Sequence, residues 1–186
     1  MLAPPTNPTA MRVTQGACGS RQIAWAWSGA RNATAYNVVL YNPVSGAQIG
    51  STRVHGTRYI LGAALGATAA LKVQSANAAG VAPNYYTPSD TGHLPPAATN
   101  PTAVTASTAG TAVTFAWTGA RHAVAYDVIV YHYNGATPVT DTQAGTTHTT
   151  LTVAGTGGVD YHVKIRTVGQ CGPVDTYVMP SAHATV

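Results

Sequence analysis

Glutamate is absent from this chain of 186 residues, and aspartate is absent from its first 89. Acid–base catalysis needs convergent carboxylates, histidines or nucleophiles, so the first half has almost no material for it and no catalytic residue is assigned. Charged residues amount to 8% of the chain, against about a quarter in ordinary domains, which leaves solubility to Thr, Ser, Asn and Gln. Phenylalanine occurs once and cysteine twice. No stretch approaches the roughly eighteen apolar residues of a membrane span; the longest, Leu61 to Leu71, is broken by glycine, so no membrane insertion is expected. Met1 to Met11 lacks a basic start and an apolar run and carries prolines, so it does not read as a secretory signal. Beginning at methionine, the chain reads as a complete gene product. HExxH and paired CxxC spacings are missing, and the glycine-rich pieces AGTGG and GQCGP adjoin no helix, so no metal, cofactor or phosphate site is expected. His132 and His162, possible strand neighbours, lack a third ligand and read as surface or edge histidines.

What is present is said twice. WSGARNATAYNVVLYN from Trp27 returns as WTGARHAVAYDVIVYHYN from Trp117, 90 residues later. A period of that size suits a whole small domain rather than a solenoid unit, giving domains at 1–92 and 93–186. Apolar and small residues alternate toward each tryptophan: Ile23, Trp25, Trp27 in one repeat and Val113, Phe115, Trp117 in the other. The next strand repeats the alternation with Tyr36, Val38, Leu40 and Tyr126, Val128, Val130, so these twelve positions are the expected core. Gly, Pro and Asn clusters such as NPVSG and HGT punctuate the segments. The expectation is all-β, with an antiparallel sandwich of about seven strands per repeat. Asp90 to Thr99, with two prolines, reads as an extended linker, and the pair of domains as an elongated rod. The first 89 residues carry six cations and no anion; the remainder carries three cations and five aspartates.

A proline-led start (NPTA at Asn7 and again at Asn100), an apolar-x-apolar-x-Trp strand and then GAR with a tyrosine five residues on resemble tandem fibronectin type III domains. The resemblance runs from about Pro5 to Val186. It implies Trp27 and Trp117 on strand B, Tyr36 and Tyr126 on strand C, and Tyr161 on strand F making the corner contact; the first repeat departs, with Leu71 at that position. No cysteine pair brackets the tryptophan, unlike immunoglobulin domains. The resemblance also places the loops after strands A and F at the interdomain junction. Cys18 lies in the first, where Ala10 to Trp27 spans 17 residues against 14 in the second repeat, and Cys171 lies in the second. It thus implies a Cys18–Cys171 disulfide fixing the rod's angle, with two free thiols as the alternative.

Opposite the core face, strand C carries Val39 and Tyr41 in one repeat and Ile129 and Tyr131 in the other. An exposed stripe of this composition marks a contact surface, although half-covered sheet residues also explain it. Arg31 and Arg121 read either as a repeated anion or partner contact or as residues that simply close the GAR loop. No RGD tripeptide occurs. The resemblance implies a non-enzymatic display or spacer protein, and the foremost expectation is a bacteriophage virion component, a capsid decoration or tail accessory protein. Its basic first domain would dock on an acidic surface while the second projects. The alternatives are an extracellular accessory module of a polysaccharide-degrading enzyme and a bacterial cell-surface adhesin. The expected partners are virion or cell-surface proteins or polysaccharide, with no specific nucleic acid.

Overall fold

The computed structural model describes residues 3–16 and 18–186, and every regular element among them is a strand. It divides into two units, 1–96 and 97–186. In the first, β1 (Met11–Gln15), β2 (Gln22–Trp27) and β5 (Arg58–Gly62) form one antiparallel sheet in the order β1-β2-β5. The facing sheet runs β4-β3-β6-β7, from β3 (Ala35–Tyr41), β4 (Gln48–Val54), β6 (Thr68–Asn77) and β7 (Gly80–Val81), with β8 (Gly92–His93) also paired to β6. The second unit repeats this plan. One sheet joins β9 (Val104–Ala109), β10 (Ala112–Trp117) and β13 (Thr150–Ala154). The other joins β11 (Ala123–Asn134), β12 (Thr137–Thr146), β14 (Asp160–Gly169), β15 (Gly172–Pro173) and β16 (His183–Thr185). With β7 and β8 counted as one interrupted strand, and β15 and β16 as another, three strands face four in each unit, the sandwich that the resemblance implies.

All twelve expected core residues are buried, none more than 6% exposed. Each tryptophan of the repeat meets its strand-C tyrosine edge to face, at 5.5 Å for both Trp27–Tyr36 and Trp117–Tyr126, an arrangement the ring quadrupoles favour. The same tyrosines hold the GAR loop, since Ala30 N–H donates to Tyr36 Oη at 3.0 Å and Ala120 N–H to Tyr126 Oη at 2.9 Å. The corner contact is made in the second domain, where Thr156 N–H donates to Tyr161 Oη at 2.9 Å. Leu71, its counterpart, is simply core.

The final strand of each sandwich is broken. β7 pairs with the end of β6, Tyr86 bridges Val73, and β8 pairs with the start of β6; β15, Val178 and β16 touch β14 in the same sequence. Pro83 and Pro88 lie between the contacts in one domain and Pro180 in the other, and proline has no N–H to give a ladder. This path corrects the reading of 90–99 as linker. Gly92 and His93 are strand, Leu94 is core, and a side chain at Gly92 would strike Ile23. The first unit therefore runs on to Pro96.

The NPTA repeat is a clamp. Asn7 Oδ1 accepts the Ser75 N–H at 3.1 Å while its amide donates to Asn84 O. Asn100 Oδ1 accepts the Thr167 N–H at 2.8 Å while its Nδ2 donates to Thr176 O at 2.8 Å. Each asparagine thus ties the chain entering a domain to strand F and to the broken last strand.

Candidate functional site

The outer face of the four-stranded sheet carries different side chains in the two domains. In the first, cross-strand pairing aligns Arg53, Asn37 and Gln74 in one row and Ser51, Val39 and Lys72 in the next. Asn37 Nδ2 donates to Gln74 Oε1 at 3.3 Å, and Gln74 Nε2 donates to Ala82 O at 2.7 Å. Tyr85, from the broken last strand, lies over this face and is 37% exposed. The Lys72 ammonium sits 5.5 Å from the Tyr85 ring centre and 5.6 Å from that of Tyr41, a cation held between two π-faces. Asn37, Val39, Ser51 and Tyr85 help to line a shallow cleft of about 260 Å³.

The second domain has the cleft at the same place, about 280 Å³, lined by Asp127, Ile129, Gln143, Arg166 and Tyr177 among others. Here Asp127 replaces Asn37 and Arg166 replaces Gln74, and Arg166 Nε donates to Asp127 Oδ2 at 2.8 Å while its guanidinium lies 4.7 Å from the Tyr177 ring centre. The Lys164 ammonium lies 4.8 Å from the Tyr131 ring centre.

The structure corrects the exposed stripe. Val39 is 9% and Tyr131 is 5% exposed, while Tyr41 and Ile129 are half-buried. Each domain supplies its own neighbours to this stripe: Lys72 and Tyr85 in one, and in the other Lys164, Tyr133 and His162, whose ring stacks on Tyr131 at 5.6 Å. Arg31 and Arg121 lie in the β2–β3 and β10–β11 loops, which their backbone N–H groups help to close. Arg31 N–H donates to Thr6 Oγ1 at 3.1 Å and Arg121 N–H to Thr99 Oγ1 at 3.3 Å, with both side chains exposed. The residue after each arginine, Asn32 or His122, has a left-handed φ of 60° or 58°, so GAR forms a tight turn at the start of strand C. Tyr41 and Arg31 flank a seven-residue strand, about 20 Å long, and do not form one site.

His132 and His162 are not neighbours either. His132 pairs across the sheet with Tyr161, and His162 with Tyr131, which sets them on opposite faces. Each has an aspartate. His132 Nδ1 lies 2.8 Å from Asp141, the residue a bulge leaves unpaired on β12. Asp160 accepts from His183 Nδ1 at 2.9 Å and Thr185 Oγ1 at 3.2 Å, and lies 3.2 Å from His162 Nε2. Partial burial raises the Asp160 pKa, but the hydrogen bond from His183, together with Thr185 and the His162 charge, outweighs it and leaves the pKa below its ordinary 3.8. Among the described residues no cluster of three or more His, Cys, Asp or Glu has metal-binding geometry.

Cys18 lies in the turn between β1 and β2 and Cys171 in the turn between β14 and β15. Neither is a free thiol.

No protein family model matches this chain, and no curated protein matches it. Among solved structures it is similar to the FN1-FN3 domains of chicken CNTN1, at 18% identity over 98% of this chain and 67% of that one, with a TM-score of 0.41. It is also similar to a two-domain fibronectin type III segment of chicken tenascin, at 19% identity over 94% of this chain and 99% of that one, with a TM-score of 0.38.

Proposed function

We propose that this chain is a non-enzymatic binding and structural module of a virus particle, a capsid decoration or tail accessory protein whose first domain engages an acidic partner. A fibronectin type III-like fold suggests a binding or structural module, and what it binds must be argued from its faces. One observation carries the reading: a single framework occurs twice with different outer faces. Trp27 and Trp117, Tyr36 and Tyr126, and the clamps Asn7 and Asn100 have the same environments in both domains. Outside, Arg53, Asn37 and Gln74 give way to Gly145, Asp127 and Arg166. Duplicated scaffolds with separately varied faces suit display. The six cations of the first 89 residues, unmatched by any carboxylate there, would steer that domain toward negative surfaces in a salt-dependent way.

The test is mass spectrometry and antibody labelling of purified particles from the source. The chain is expected at a fixed copy number per particle. Recovery instead from culture fluid, covalently continuous with a polysaccharide hydrolase, or from cell envelopes as an adhesin, would overturn the placement.

A further inference from the structure

We infer that the first domain's outer cleft is a binding site for an acidic polysaccharide, a chain of carboxylate-bearing sugars, with Tyr85 as platform and Lys72 and Arg53 as anion contacts. This deepens, and rests on, the reading of the first domain as the one that engages an acidic partner.

The argument starts from charge. Lys72 is half-buried between Tyr41 and Tyr85, and the chain supplies no carboxylate before Asp90, so nothing within the sheet can neutralise it. Arg53 stands two strands away on the same face, at a backbone spacing of about 10 Å. Two cations on the strands either side of β3, on the face that carries the cleft, suit an anion that recurs along a polymer. The second domain shows the self-sufficient version of the same cleft. There Asp127 binds Arg166, Arg166 covers Tyr177, and no arginine matches Arg53 because Gly145 occupies that position.

The rest of the lining selects a sugar. Tyr85 presents a partly open ring fixed by the lysine beneath it, and the apolar C–H face of a pyranose packs on such a ring. Asn37 and Ser51 offer an amide and a hydroxyl for sugar hydroxyls. A peptide would recruit backbone N–H and C=O groups, but those of β3 beneath the cleft are committed to β4 and β6, and the free border of β4 is interrupted at Ile49. At about 260 Å³ the cleft accepts one or two sugar units of a longer chain.

The experiment uses the full chain and titrates it with polygalacturonate oligomers, uncharged dextran and single-stranded oligothymidylate by calorimetry, at low and at moderate salt. Binding is expected to polygalacturonate alone, weakening about tenfold or more as salt screens the contacts. Tyr85→Ala and Lys72→Gln are each expected to weaken it about tenfold or more, the lost contact being worth at least one tenfold step. Tyr177→Ala, the same change in the second cleft, is expected to leave it unchanged. Tyr85 is already partly exposed, and amide exchange in β3 and β6 checks that the variants stay folded. Failure to bind polygalacturonate, equal binding to dextran, preference for the oligonucleotide, or equal loss from Tyr177→Ala would overturn the site. If binding fails while the chain is still recovered on particles, the site falls alone. If binding holds but the chain is absent from particles, only the placement falls.

Discussion

Asn100 is the residue whose removal best tests how the second domain is held closed. Its Oδ1 accepts the Thr167 N–H and its Nδ2 donates to Thr176 O, both at 2.8 Å. Thr167 has no exposed surface, so in Asn100→Ala its amide is left buried without a partner, at a cost of about 1–3 kcal/mol. Losing the second, more exposed bond adds about 0.5–1.5 kcal/mol, for a sum of about 2–4 kcal/mol. Asn100→Asp keeps the acceptor for Thr167 but sets a carboxylate oxygen against Thr176 O, so it should spare protection at Thr167 while loosening the last strand. The assay is urea unfolding of the full chain, combined with amide exchange read residue by residue. Asn100→Ala should lower protection at Thr167 and across β14 while leaving Ser75 and β6 as they were, and Asn7→Ala should do the reverse. A cost under about 0.5 kcal/mol for Asn100→Ala, or unchanged protection at Thr167 in that variant, would refute the clamp.

Tyr161→Phe should destabilise the second domain by about 1–2 kcal/mol in denaturant unfolding, because the Thr156 N–H loses its acceptor. Asp160 has a folded pKa below its ordinary 3.8; the stability it contributes is therefore complete above that value and lost as pH falls through the depressed one. Thermal unfolding of Asp160→Asn should accordingly be less pH-dependent below about pH 4 than that of the parent chain, and identical acid limbs would reject the assignment. Cys18 and Cys171 should be joined to each other. Thiol labelling of unfolded, unreduced protein should find no reactive group, non-reducing peptide mapping should recover the cross-linked pair, and reduction should cost about 2–4 kcal/mol.

The core was legible because two signals coincided, alternation and the 90-residue repeat, so that Ile23, Trp25 and Trp27 confirmed Val113, Phe115 and Trp117. The outer face was only half legible. Period-two alternation places Val39 and Tyr131 outward correctly, yet both are covered, because Tyr85 and His162 come from segments distant in sequence. Leu94 was read as linker because two prolines follow it, and proline signals extension without saying whether the extended chain is paired. The asparagines of NPTA were visible as part of a repeated motif. Their function was not, since it depends on partners such as Ser75 and Thr167, 68 and 67 residues away.

The broken last strand has a bearing on how copies of this chain tolerate crowding. With 8% charged residues, mutual electrostatic repulsion gives little protection against sheets joining edge to edge. A strand that touches its neighbour at three separate places, with prolines between, offers an approaching copy no continuous row of free N–H and C=O groups to template on. On the opposite border the register shifts at Ile49 and Asp141 interrupt the corresponding row on β4 and β12. Backbone irregularity on both borders of this sheet therefore does there the insulating that surface charge does in most proteins.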